Sequence, residues 1–312
     1  MKYTKLYRDQ LEMFKSSKNG RQALKSLFGK QNVSFPKYVQ VIRELIISET
    51  KEDSCQGGEH FKLLSQELYW RESGSPVIFL ESQKLVSDLY AAKFDFEKDF
   101  SVAPPFKSFA LSFPENTLIN GVPLKSCLVT IMTNREFVRV HGEEYTSLNH
   151  FLSKEYQNDE LGIAVHYESS FGVINSNFAY LYKLAETLKN NAKNPLADNG
   201  TVMLEAQTKI ALALCMYHSA TNGEKLKAGY PSASIELPKD KSKGSYKAVT
   251  VRSFDKERDS TGRTVTHRVP HFRNLRAECF YKKDEYKHLK RGSRWTFVKG
   301  VDLNGSMNTL EQ

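Results

Sequence analysis

The sequence predicts an α+β protein in three parts, and three observations carry that prediction. Apolar residues recur at helical spacing through residues 1–75 and then give way to short runs at strand spacing. A later stretch, Thr201–Ala220, is apolar on nearly every face and breaks the strands as a core helix. The excess positive charge gathers near the end of the chain. The parts are a helical N-terminal region (1–75), an α+β core with an inserted helix pair (76–238), and a basic C-terminal β module (239–312) packed on that core.

Each element has its own signal. "YTKLYRDQLEMF" sets Leu6, Leu11 and Phe14 at near-helical spacing, and "RQALKSLFGK" repeats the pattern up to a stop at Gly29. In "SFPKYVQVIRELIISET", Ser34 is the N-cap, Pro36 lies in the first turn, and Val39, Ile42, Leu45 and Ile46 make one apolar face. "KEDSCQGGEH" is a polar break whose diglycine reads as a connector, ahead of a weaker helix in "HFKLLSQELYW". "PVIFLES" is a buried strand and "QKLVSDLYAAKF" a helix. Strands follow at "FKSFALSFP", "CLVTIMT", "EFVRVH" and "LGIAVHYESSF", with turn signals at Asn120-Gly121 and Gly121-Val122-Pro123. The helix pair is "SNFAYLYKLAETLKNNAKNP", ending before Pro195, and "TVMLEAQTKIALALCMYHSA". "SIELP", "YKAVTVRSF", the segment around His271 and "RWTFVKG" close the chain as short strands.

Composition narrows the function classes. Of 312 residues, 40% are hydrophobic and 26% charged, which is ordinary for a globular domain. No run reaches the roughly 20 apolar residues a bilayer span needs. The first residues carry charges where a secretory signal has an apolar core. Cys55, Cys127, Cys215 and Cys279 match no metal or disulfide spacing, which points to free thiols in a reducing cytoplasm. Walker A, GxGxxG, HExxH and GxSxG motifs are missing, so no cofactor or metal is expected. Cys215, Met216 and His218 read as core packing rather than metal ligands, and His141, His150 and His166 fall on separate elements.

The net charge is +9, yet residues 1–238 hold 27 basic and 27 acidic side chains. Residues 239–300 hold 18 Lys/Arg against 7 Asp/Glu, a net of +11. That asymmetry points to an anionic partner, either nucleic acid or an acidic host protein surface. Tyr246, Phe254, Phe272, Tyr281, Tyr286 and Trp295 lie among the cations, the mixture that single-strand binders use. A solvated charge run is the plainer alternative. Trp295 and Phe297 share a strand face, and Trp295 reads as a plug for the last strands.

One signature stands out within this segment: His267-x-x-x-His271-x-Arg273, then Gly292-x-x-Trp295-x-x-Val298. With "APPFKSFALSFP" and "IALALCMYHSA", it resembles uncharacterised proteins encoded by bacteriophages and other bacterial mobile elements. This chain departs from that pattern in its Asn274-Leu275-Arg276 and in a longer charged insertion before Gly292. The resemblance implies a phage or prophage origin and action in a bacterial cytoplasm. It carries no activity and no catalytic residues.

Pro270 keeps His267 and His271 from sharing a helical face as a zinc helix requires. On a strand, His267, His271 and Arg273 point one way, and Arg268 and Arg276 the other. Two imidazoles and a guanidinium together suit a phosphate; the same groups could equally tie the last strands to backbone carbonyls. The expected function is nucleic-acid binding through phosphates by His267, Arg268, His271, Arg273, Arg276, Lys290, Arg291 and Arg294. The alternatives are an interaction protein that blocks a host defence protein, and a metal-independent ribonuclease acting through His271 and Glu278 with Tyr281 beside them.

Overall fold

A mixed seven-stranded sheet organises the chain, in the order β7-β6-β5-β2-β1-β9-β8. The computed structural model describes residues 2–49, 55–93, 103–133, 135–136, 161–168, 174–180, 198–231, 246–252 and 271–298. The strands are β1 (Pro76–Leu80), β2 (Ser108–Ser112), β5 (Cys127–Thr133), β6 (Leu161–Glu168), β7 (Ile174–Tyr180), β8 (Leu226–Ala228) and β9 (Lys247–Val251). β1 runs parallel to both β2 and β9, while the remaining pairs are antiparallel. Two hairpins stand apart, β3 (Leu118–Ile119) with β4 (Val122–Pro123), and β10 (His271–Asn274) with β11 (Trp295–Val298). Asn120 and Gly121 both adopt positive φ at the β3–β4 turn, the two-residue geometry an Asn-Gly pair favours.

Helices cover the sheet on both sides, and the architecture is α+β as the periodicities predict. One face lies under α5 (Gln83–Ala91) and α6 (Asn199–Ala220). α6 is the apolar stretch read from the sequence, and Ile210 through Tyr217 are fully buried in it. Ile78 and Leu80 of β1, Phe109 and Leu111 of β2, and Val129 and Ile131 of β5 meet this layer. The opposite face packs Val77, Phe79, Ala110 and Leu128 against Trp70 and the start of the chain. Beyond it, α1 (Gln10–Ser16), α2 (Lys18–Phe28), α3 (Phe35–Glu49) and α4 (Cys55–Glu72) share a separate core around Leu24, Tyr38 and Leu64.

Several expectations are corrected. The first helix begins only at Gln10, because Lys2–Asp9 runs extended along the sheet, where Thr4 N–H donates to the Phe113 carbonyl at 2.9 Å. Tyr3, Leu6 and Tyr7 are thereby almost fully buried, and this packing overrides the helical spacing. "CQGGEH" is helical backbone within α4, not a connector. Ile174–Tyr180 is a strand where a helix was expected from Ser176 onward, since it ladders along the whole of β6. β8 was not foreseen, and β9 lies inside the main sheet although it falls in segment 239–312. Glu136, the first residue of the expected strand "EFVRVH", is helical together with Arg135. The remainder of that run, "SIELP", residues 181–194 of the expected helix, His141 and His150 lie outside the described residues. Among the described residues no helix is long and apolar enough to cross a membrane.

The N-terminal segment ends in a buried polar knot. Asp9 caps α1 by accepting from Glu12 N–H at 2.9 Å, and Arg71 of α4 donates to its other oxygen through Nε at 2.6 Å. Glu67, one helical turn before Arg71, accepts from Tyr7 Oη at 2.6 Å and from Gln10 N–H at 3.1 Å. Both carboxyls are completely buried. Burial, and then the charge of Asp9 beside it, holds the Glu67 carboxyl well above the usual carboxylate range. Burial raises Asp9 as well, against the pull of Arg71.

A carboxyl raised on folding binds its proton more tightly in the folded chain. Its stabilising contribution is therefore present in acid and is lost as pH climbs from the ordinary glutamate value of 4.5 toward the raised one. Glu67→Gln, the neutral isostere, should melt at a temperature that gains on the wild type as pH rises from acid to neutral. Thermal melts of both proteins across that range check this, and a pH-independent difference would refute it.

Candidate nucleic-acid interface

The expected binding residues fall on the β10–β11 hairpin, and two features build it. The first is strand alternation. Phe272 is buried and pairs directly with Phe297, their rings 5.0 Å apart, so this side of the hairpin faces the core. Phe297 meets Tyr217 of α6 edge-on at 5.5 Å, and Trp295 is buried in the same cluster, as a plug rather than a platform. His271 and Arg273 therefore occupy the outward side, paired across the ladder with Val298 and Thr296. Arg273 is exposed and His271 half-buried.

The second feature is a tip that folds around one tyrosine. Leu275 N–H donates to the Arg294 carbonyl at 2.9 Å, which adds a rung beyond β10. A 3-10 turn at Glu278–Tyr281 then brings Tyr281 inward, where its hydroxyl accepts from Gly292 N–H at 2.8 Å and Arg294 N–H at 3.2 Å. The Arg294 guanidinium donates to the Phe280 carbonyl and lies 3.4 Å from the centre of the Tyr286 ring. These contacts close residues 276–293 into a compact loop.

The expected residues consequently divide. Arg273, Arg276 and Lys290 are exposed on the outward face and tip. Arg291 is also exposed, at 2.9 Å from Glu278 in an ion pair where both side chains are more than half in water. Such a pair exchanges readily for another anion. Arg294 is committed to the interior of the tip. His267, Arg268 and Phe254 lie outside the described residues. His271 and Glu278 are not brought together: they sit on opposite sides of the Leu275–Arg294 rung, and the strand from His271 to Leu275 alone spans about 13 Å.

Three further cations belong to the surface and were not singled out from the sequence. Lys282 and Lys283 are exposed on the tip and make no ion pair with a described residue. Lys93 follows α5 and bridges to His271, its carbonyl accepting from Phe272 N–H at 3.1 Å. Residues 271–298 hold eight Lys/Arg against three Asp/Glu, a net of +5.

The remaining candidates are structural. Cys215 and Met216 are fully buried, and burial pushes the Cys215 and Cys127 thiols far up. Burial lowers half-buried His218. Buried His166 has Nε2 2.7 Å from Gln66 Oε1. Among the described residues no group of three His, Cys, Asp or Glu side chains is placed to hold a metal ion. Comparison with protein-family models, curated proteins and solved structures returns no match to this chain.

Replacing Tyr281 by Phe deletes the acceptor shared by two loop amides. The expected cost is about 1–3 kcal/mol. Hydrogen exchange should quicken at Gly292 and Arg294 while the amides of β1 and β2 stay protected. Unchanged exchange at both loop amides would show that the tip does not depend on that hydroxyl.

Proposed function

We propose that the β10–β11 hairpin binds nucleic acid through phosphates, with weak sequence preference. The observation that carries this is the division of labour within the hairpin. Its apolar side is fastened to α6, while Arg273, Arg276, Lys282, Lys283 and Lys290 are exposed with few acids among them. Lysine and arginine in such numbers gain affinity mainly by displacing the counterions condensed on a polyanion. The outward pair of His271 and Arg273 adds a donor beside a guanidinium fork, the combination that suits a phosphate oxygen.

The His-x-x-x-His-x-Arg and Gly-x-x-Trp-x-x-Val signature supports a phage or mobile-element origin, with the hairpin acting in a bacterial cytoplasm. An acidic host protein is the rival partner for the same cations, and nuclease separates the two: a protein partner stays bound after nuclease treatment, whereas a nucleic acid is lost. The ribonuclease reading draws no support from the separation of His271 and Glu278.

Binding of labelled DNA and RNA across a salt series tests the proposal. Log affinity should fall with log salt by about 0.7–0.9 for each phosphate neutralised. Arg273→Gln and Lys290→Gln should each flatten that slope by about one without changing the melting temperature. A slope near zero in the wild type would refute phosphate contact.

A further inference from the structure

The aromatic side chains of the hairpin decide between two forms of its proposed partner. We infer that the ligand is a duplex gripped along its phosphates and not an unstacked single strand; this rests on the nucleic-acid reading above and names its substrate class. Single-strand binders pair a cationic track with exposed π-faces on which bases stack. Here the cations are exposed while most of the aromatic rings are already in use. Phe272, Tyr281 and Trp295 are buried at 5%, 6% and 8% exposure. Phe297 lies against Phe272 and Tyr217. One face of Tyr286 is covered by the Arg294 guanidinium at 3.4 Å.

Elsewhere among the described residues the rings near the basic segment are no better placed. Tyr246 packs on Trp70; Tyr230 is 44% exposed, but it leans on Phe79 on the sheet face opposite the hairpin and so lies apart from the hairpin's cations. On the tip, half-buried Phe280 and the exposed imidazole of His288 are the rings with no other ring or guanidinium against them among the described residues. One half-exposed phenyl ring and one imidazole do not make a stacking track.

A duplex asks for something different. It presents one phosphate charge per roughly 1.7 Å of axis on a stiff surface, so fixed cations bind it without any base contact. A two-stranded antiparallel ribbon also has the cross-section of the B-DNA major groove. Arg273 on the ladder and Lys282, Lys283 and Lys290 on the closed tip are held by one rigid ribbon, which matches a rigid line of phosphates better than a flexible one.

The test uses the full chain and four labelled probes of one mixed sequence: a DNA duplex, the corresponding RNA duplex, and a separated strand of each. At least one duplex should bind about tenfold tighter than its own strand, with a steeper salt slope. The DNA and RNA arms then say which duplex it is. No base-stacking quench of tryptophan emission should accompany binding, because the chain has two tryptophans and both are buried. Lys282→Gln with Lys290→Gln should weaken the duplex about tenfold, and Phe280→Ala should leave it within about twofold. Single strands binding as tightly as duplexes, with loss on Phe280→Ala, would overturn the inference while leaving nucleic-acid binding intact. Failure of all four probes to bind would overturn the proposed function itself, and this inference with it.

Discussion

Burial of β1 on both faces is the constraint that the other layers obey. Its five residues are all buried, and it lies between two parallel neighbours, so its backbone is satisfied on both edges. Ile78 and Leu80 require the α5–α6 layer above them, and Val77 and Phe79 require a second layer below. Burying each such side chain is worth about 1.5–3 kcal/mol, and only the presence of both layers secures it. The strand reads as an unbroken apolar run for that reason.

The lower layer explains the polar knot. Tyr3 and Tyr7 can cover Phe79 and Trp70 only if the chain before α1 is extended, and the extended segment must then turn sharply into a helix. Asp9 makes that turn as the α1 cap, which places a carboxyl at a fully buried corner. α4 answers it from one helical face: Trp70 donates to the Pro76 carbonyl at 2.9 Å, Arg71 meets Asp9, and Glu67 meets Tyr7. Buried charge of this kind contributes little net stability against its desolvation cost. What it supplies is a direct tie: Asp9 and Tyr7 at the end of the extended segment are held to Arg71 and Glu67 of α4.

Sequence legibility followed how local each determinant is. β1, β2, β5 and α6 could be read because an apolar run between turn residues, or an all-apolar helix, needs no knowledge of its neighbours. The segment before Gln10 and the strand at Ile174–Tyr180 could not, because both have spacing compatible with a helix and are decided by a partner far along the chain. The candidate interface divides in the same way. The clustering of charge was visible in composition, and so was the shared face of Trp295 and Phe297. That Arg294 would be held inward while Arg273 stays outside depends on Tyr281 and Tyr286, and that Lys93 would join His271 depends on the course of the chain after α5.

The hairpin also shows why exposure of its cations follows from packing of its rings. Side chains alternate with a period of two, so seating Phe272, Phe297 and Trp295 on α6 obliges His271, Arg273, Thr296 and Val298 to face away. A slip of one residue would bury a guanidinium and expose a phenyl ring, which the core would not tolerate. The Leu275–Arg294 rung and the Tyr281 hydroxyl carry the same order past the end of the ladder into the tip. Cations held on such a frame lose less conformational freedom on meeting an anion than the same residues on an open loop, so more of the counterion-release energy survives as affinity.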